Sequence, residues 1–202
     1  MGLQEVSAPL RGDFKSQLDH LYQFYDGDDP RNADVILLAR DAFTVREHGV
    51  EALPSACRGP VRMTYLIAET PSGQVFGVAN THLCRQDPAG SVEQLAGLIA
   101  RHLAGMPVIL LGDLNATEGS EAIDYLMGLA TVGDAANPVP LQDSWRLAGT
   151  AQSKQEAGAI PIDWILVADG GGLRFEATAA AAVADPAQAS DHIAIVADLR
   201  LR

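Results

Sequence analysis

The run Val108-Ile109-Leu110-Leu111-Gly112-Asp113-Leu114-Asn115-Ala116-Thr117 constrains the fold more than any other stretch. Four consecutive apolar residues ended by glycine predict a strand buried on both faces. Asp113 and Asn115, two positions apart, then project to one side of an extended backbone. A carboxylate beside an amide at a strand mouth can polarise a water and grip an oxyanion. Asp and Asn also close turns after strands, so the motif needs company elsewhere in the chain.

A chain of 202 residues fits a single domain, 1–202, large enough to bury a core without a metal or disulfide staple. Its 48% apolar content and mean hydropathy of +0.06 describe a globular protein. A net charge of -12 and a pI near 4.6 disfavour electrostatic capture of a polyanion over a broad surface. Clustered carboxylates also suit a divalent cation, so an enzyme handling phosphate through a metal remains open. Cys57 and Cys84 show no CxxC spacing; one disulfide could join them, but two free thiols are expected. Met1 to Leu10 lacks a signal-peptide pattern and no window is long enough to span a membrane, which predicts a cytoplasmic protein.

Leu3 to Val6 reads as the tail of a strand stopped by Pro9, and apolar spacing predicts a helix from Phe14 to Tyr25, broken at Asp26 to Pro30. Val35 to Ala39 is a buried strand, Phe43 to His48 begins a more polar one, and Pro54 to Pro60 is a loop. Val61 to Glu69 and Gln74 to Asn80 form a hairpin around Thr70-Pro71-Ser72-Gly73. Ser91 is the expected cap of a helix reaching Leu103 and ended by Gly105; Ser120 is the expected cap of Glu121 to Gly128. A short segment with Trp145 and a polar loop, Gly149 to Pro161, lead to strand Ile162 to Val167. Ala177 to Ala184 is strand or helix, and Ile193 to Leu199 closes the chain as a strand. Hairpins mixed with helical crossovers predict an α/β sandwich of mixed sheets.

Further polar clusters sit at strand ends. Asn80-Thr81-His82-Leu83 ends one strand, Ile162-Asp163-Trp164-Ile165 opens another, and Ala189-Ser190-Asp191-His192 precedes the last. A carboxylate between Ile162 and Trp164 costs several kcal/mol unless partnered. An imidazole, His82 or His192, would serve, since a carboxylate fixes its tautomer and raises its basicity. His20, His48 and His102 have no such company and are expected at the surface.

In their order and intervals, Gln4-Glu5-Val6, Asn80-Thr81-His82-Leu83, Gly112-Asp113-Leu114-Asn115, Ile162-Asp163-Trp164-Ile165 and Ser190-Asp191-His192 resemble the endonuclease/exonuclease/phosphatase superfamily, over nearly the whole chain. The resemblance implies a four-layer α/β sandwich, two mixed β-sheets face to face with helices outside, and a phosphoesterase dependent on Mg²⁺ or Mn²⁺. By that likeness Glu5 binds the metal with Asp191 close to it, and Asp113 aligns or deprotonates the attacking water. Asn115 holds the phosphate, Asp163 orients His192, His192 stabilises the transition state, and His82 is a candidate general acid. The expected partner is a phosphate ester, with nucleic acid among the candidates. Such chemistry rests on positioning and charge, which a hard cation supplies.

The chain departs from that pattern at its start, where the first strand and its asparagine are missing and Glu5 lies near a terminus that frays unless tied down. A truncated start is the favoured explanation; a partner chain supplying the strand and a diverged, less active version are the alternatives. A catalytically impaired member acting as a binding module is the competing function. Few aromatic and basic residues argue against extended single-strand binding. Arg58, Arg62 and Arg85 flank the expected site and could contact phosphate, but scattered surface cations are the expected reading.

Overall fold

The computed structural model describes residues 1–29, 31–183 and 190–202. In chain order the elements are β1 (Gly2–Leu3), α1 (Ala8–Leu18), β2 (Tyr22–Tyr25), β3 (Val35–Ala39), β4 (Thr44–Leu53), β5 (Val61–Glu69) and β6 (Val75–His82). There follow α2 (Ala89–Leu103), β7 (Val108–Asp113), α3 (Glu121–Leu126), β8 (Thr131–Val132), β9 (Ala135–Ala136) and β10 (Gln142–Asp143). The last are α4 (Ser144–Leu147), β11 (Asp163–Ala168), β12 (Phe175–Val183) and β13 (Ala194–Leu201).

A six-stranded sheet ordered β10-β11-β7-β6-β5-β4 forms the spine. Its single parallel pair, β6 and β7, is joined by the crossover helix α2, and every other ladder is antiparallel. One face packs against α2 and α3 through Leu95, Ile99, Leu110, Ile123 and Leu166. The other carries Leu66, Ala68, Phe76 and Val78, which meet Ile36 and Leu38 of the three-stranded sheet β1-β3-β2 and Phe175 and Leu201 of the β12-β13 pair. Phe14 and Leu18 of α1 cover the outside of β3 at Val35 and Leu37. The result is the expected α/β sandwich of four layers, helix, sheet, sheet and helix, with a mixed central sheet.

Among the described residues β1 and β13 each keep an edge without a ladder partner. Ile109 and Leu111, which face that layer from β7, are only partly buried, whereas Leu110 on the opposite face is fully covered. The first residues are nonetheless anchored. Buried Asn80 accepts from Gln4 Nε2 (2.7 Å) and donates to the carbonyls of Leu3 and Val35, while the Met1 amine donates to Leu37 O (2.8 Å).

Several local expectations are corrected. The helix expected over Phe14 to Tyr25 ends at Leu18, and Tyr22–Tyr25 is a strand. Tyr22 and Phe24 face α1 while Tyr25 faces the sandwich interior, an alternation only a strand provides. Pro9 lies in the first turn of α1, where its missing N–H leaves no intrahelical bond unmade. Ser91 is not the cap of α2: the helix begins earlier, the Asp87 carboxylate accepts from Gly90 N–H, and the buried Ser91 hydroxyl donates to Pro54 O. Ser120 does cap α3, accepting from Ile123 N–H. The alanine-rich stretch is strand, held by its ladder to β13. Pro30, Ala184 and Ala189 of the stretches named above fall outside the described residues.

Cys57 and Cys84 are joined in a disulfide, not free, with Cα atoms 5.7 Å apart. The bond fastens the loop after β4 to the residues just past β6. By loop-closure entropy, a cross-link at a separation of 27 residues is worth about 3–4 kcal/mol. Gly112 takes φ +154°, and a Cβ there would overlap the Thr81 carbonyl oxygen on the neighbouring strand.

Reduction of the disulfide, or Cys84→Ser, should therefore lower unfolding free energy in urea by about 3–4 kcal/mol. Gly112→Ala should cost about 1–3 kcal/mol by strain and backbone displacement, read in the same melt.

Candidate active site

Strand register assembles the site. His82 lies level with Asp113 across the parallel β6–β7 ladder, and Asp163 lies level with Asp113 across the antiparallel β7–β11 ladder. Three residues distant in sequence thus reach the same end of the sheet side by side, and the loop before β13 adds His192.

Asn115 follows in the left-handed region at φ +49°, which asparagine tolerates. Its backbone N–H donates to Asp113 Oδ1 at 2.8 Å, closing the turn that the motif allowed. The second carboxylate oxygen stays turned to the site, 3.5 Å from His82 Nε2 and 4.0 Å from His192 Nε2. One Asp113 oxygen therefore serves the backbone and the other can serve chemistry.

The Asn115 amide nitrogen donates to Leu83 O and lies 2.9 Å from His82 Nε2. That contact assigns Nε2 as the acceptor and places the imidazole proton on Nδ1, 3.7 Å from Glu5 Oε1. His192 is oriented from the other side, its Nδ1 at 2.9 and 3.1 Å from the two Asp163 carboxylate oxygens. Burial opposes charge on His192, but the Asp163 carboxylate, helped by Asp113 and Asp191, outweighs it and raises the imidazole above its ordinary range. Burial likewise raises Asp163, against the pull of His192 and Lys154.

One contributor escapes a reading of the sequence. Asp34, immediately before β3 and 6% exposed, lies beside the His82 backbone N–H. Desolvation pushes its carboxyl up to about 7 despite that N–H and the Arg62 guanidinium nearby. Glu5, Asn32, Asp34, Arg62 and His82 share the lining of a cavity of about 200 Å³. The available signal was the one used elsewhere, a polar residue abutting an apolar strand, but Asp34 precedes its strand and has no motif around it. A larger hollow of about 420 Å³, beside Gly128 and Pro140, contains no ionisable side chain.

Arg62 is largely buried and pairs with Asp29 at 3.2 Å, so it is not a loose surface cation. Arg58 and Arg85 are exposed and form no ion pair among the described residues. His102, expected at the surface, pairs with Glu51 at 2.9 Å and stacks on Tyr65.

Asp113, Asp163 and His192 each offer an atom within 4.8 Å of the others, a grouping able to hold a metal ion among the described residues. Both Asp163 oxygens are already engaged by His192, so those two form a dyad first. Exposed Glu5, exposed Asp191 and the outer oxygen of Asp113 are the carboxylate donors left over, and such oxygens suit a hard divalent cation. Glu5 stands against His82 while Asp191 adjoins His192, so the two flank the site rather than sharing that group.

No family model matches the chain, and no curated protein matches it. Solved structures do. An endonuclease/exonuclease/phosphatase from Bacteroides vulgatus aligns at TM-score 0.75 and 16% identity over 100% of this chain and 84% of its own. The human Nocturnin catalytic domain with bound sulfate aligns at 0.73 and 17%, covering 100% of this chain and 80% of that one. D. rerio TDP2 complexed with a single-strand DNA product aligns at 0.74 and 17%, covering 98% and 84%.

The buried Asp34 carboxyl makes stability depend on pH. Its folded value of about 7 exceeds the ordinary 3.8, so the folded state holds the proton more tightly than the unfolded chain. Stability should fall as pH rises from about 4 to about 7, by up to about 4 kcal/mol, and level off above. Asp34→Asn should flatten that segment in urea melts without added divalent cation. These alignments and the sandwich of mixed sheets establish that the chain has the fold of the endonuclease/exonuclease/phosphatase superfamily.

Proposed function

We propose that this chain is a phosphoesterase-type hydrolase in which a water attacks phosphorus at the junction of β6, β7 and β11. The observation that carries the reading is the meeting of Asp113, His82, Asn115 and the Asp163–His192 dyad at one sheet end. The sulfate in the Nocturnin structure and the DNA product in the TDP2 structure support an anionic phosphate ligand for this fold.

The free Asp113 oxygen aligns the water and takes its proton. With Nδ1–H bonded to Asp163, His192 turns Nε2 toward the site, and its raised pKa favours an imidazolium that donates there to a phosphate oxygen. Charge that builds on phosphorus is stabilised at that atom. Substrate would take the Asn115 N–H that otherwise meets His82 Nε2, the second N–H staying on Leu83 O, and the His82 imidazole so released would bind a proton and, as imidazolium, give it to the leaving oxygen. A Mg²⁺ or Mn²⁺ with Glu5 or Asp191 as its carboxylate ligand would neutralise substrate charge and so reconcile a chain of net charge -12 with an anionic ester.

No helix among the described residues is long and apolar enough to cross a membrane. Disulfides persist in oxidising compartments, so a cytoplasmic setting would require the Cys57–Cys84 bond to be reduced.

Hydrolysis of bis-p-nitrophenyl phosphate should require Mg²⁺ or Mn²⁺ and vanish with chelator. Asp113→Ala and His192→Ala should each lower kcat/KM by about 10²–10⁴-fold without unfolding the protein. A folded parent protein inert toward this ester, DNA, RNA and inositol phosphates would favour the binding-module reading.

A further inference from the structure

The polar loop between α4 and β11 hides a cation. Lys154 is only 8% exposed, and its Nζ lies 3.3 Å from the centre of the Trp164 ring. The same ammonium is 3.5 Å from Asp143 Oδ1 and 3.4 Å from the backbone carbonyl of Asp163. Burying a lysine is expensive unless it is paired, so a site that keeps one must engage it closely. Each partner is itself fixed. Asp143 caps α4 through Trp145 N–H and lies on β10, level with Leu166 of β11, while Trp164 donates from Nε1 to Ala116 O. Trp145 Nε1 pins the loop by donating to Gln152 O, and Lys154 O accepts from Ala159 N–H.

The ammonium thus bridges β10, the loop and the first residue of β11, whose side chain holds His192. Asp143, Asp163 and Asp113 crowd this corner, and the charge of Lys154 favours an ionised Asp163 against the desolvation that raises it. Burial lowers Lys154 to about 8, which leaves the cation dominant at neutral pH.

We infer that Lys154 is a positioning residue: by gripping the start of β11 and offsetting the carboxylates around it, it aims Asp163 at His192 Nδ1. This deepens the phosphoesterase reading and rests on it for its effect on turnover, though not for its effect on the dyad.

The test uses Lys154→Met, close in volume but uncharged, and Lys154→Arg, which keeps the charge and can stack on Trp164. The readout is the downfield proton resonance of the His192–Asp163 hydrogen bond at fixed neutral pH, assigned by its loss in His192→Ala. Lys154→Met should remain folded by circular dichroism yet lose or broaden the resonance, with kcat at least about tenfold lower and KM within about twofold. Lys154→Arg should restore both. An unchanged resonance and parental kcat in Lys154→Met would overturn the assignment, as would Lys154→Arg failing to restore either. Should Lys154→Met not fold, Lys154→Gln takes its place under the same criteria. If the parent hydrolyses no phosphate ester, the functional reading fails while the resonance still decides the role of Lys154.

Discussion

The alignment of β6, β7 and β11 is the constraint from which the site follows. Gly112 lets the backbone of β7 lie against Thr81 at that level, and the ladders then bring His82, Asp113 and Asp163 abreast. A register slip of one residue in either ladder would turn its side chain to the opposite face of the sheet. The apolar core enforces the register, because Leu110 and Leu166 must meet α2 and α3 while Leu66 and Val78 meet the second sheet.

So many carboxylates in one place would be costly if all were left unscreened, and the structure treats each differently. Asp34 leans toward its protonated form, one Asp113 oxygen is taken by the Asn115 N–H, and Asp163 is matched by His192 and Lys154. Among the described residues the outer Asp113 oxygen and the exposed carboxylates of Glu5 and Asp191 accept no hydrogen bond, and such oxygens suit a hard cation.

Much of this was legible because the relevant signals are local. An apolar run followed by Gly-Asp-x-Asn states both strand and turn, and Thr-Pro-Ser-Gly between two apolar stretches states a hairpin; both are found where expected. What was illegible depends on tertiary packing. Tyr22 and Phe24 fit helical spacing until the strand beside β3 sets a period of two, and the cysteine pairing depends on a loop approaching the end of β6. Asp34 and Lys154 carry no motif; burial makes each distinctive, and burial is not written in their neighbours. That Asp163 needs an imidazole partner was readable from its apolar neighbours, but which one, and its meeting with Asp113, could be proposed only through resemblance, since register across three strands cannot be read from one sequence.

Soaking crystals of the protein with Mn²⁺ and a non-hydrolysable phosphorothioate diester, and locating manganese by its anomalous signal, tests the central claim most directly. The phosphorothioate should lie between Asn115, His82 and His192, with manganese bound through Glu5 or Asp191. Ligand or manganese seated away from the β6–β7–β11 end, with this cluster left unengaged at saturating concentrations, would contradict it.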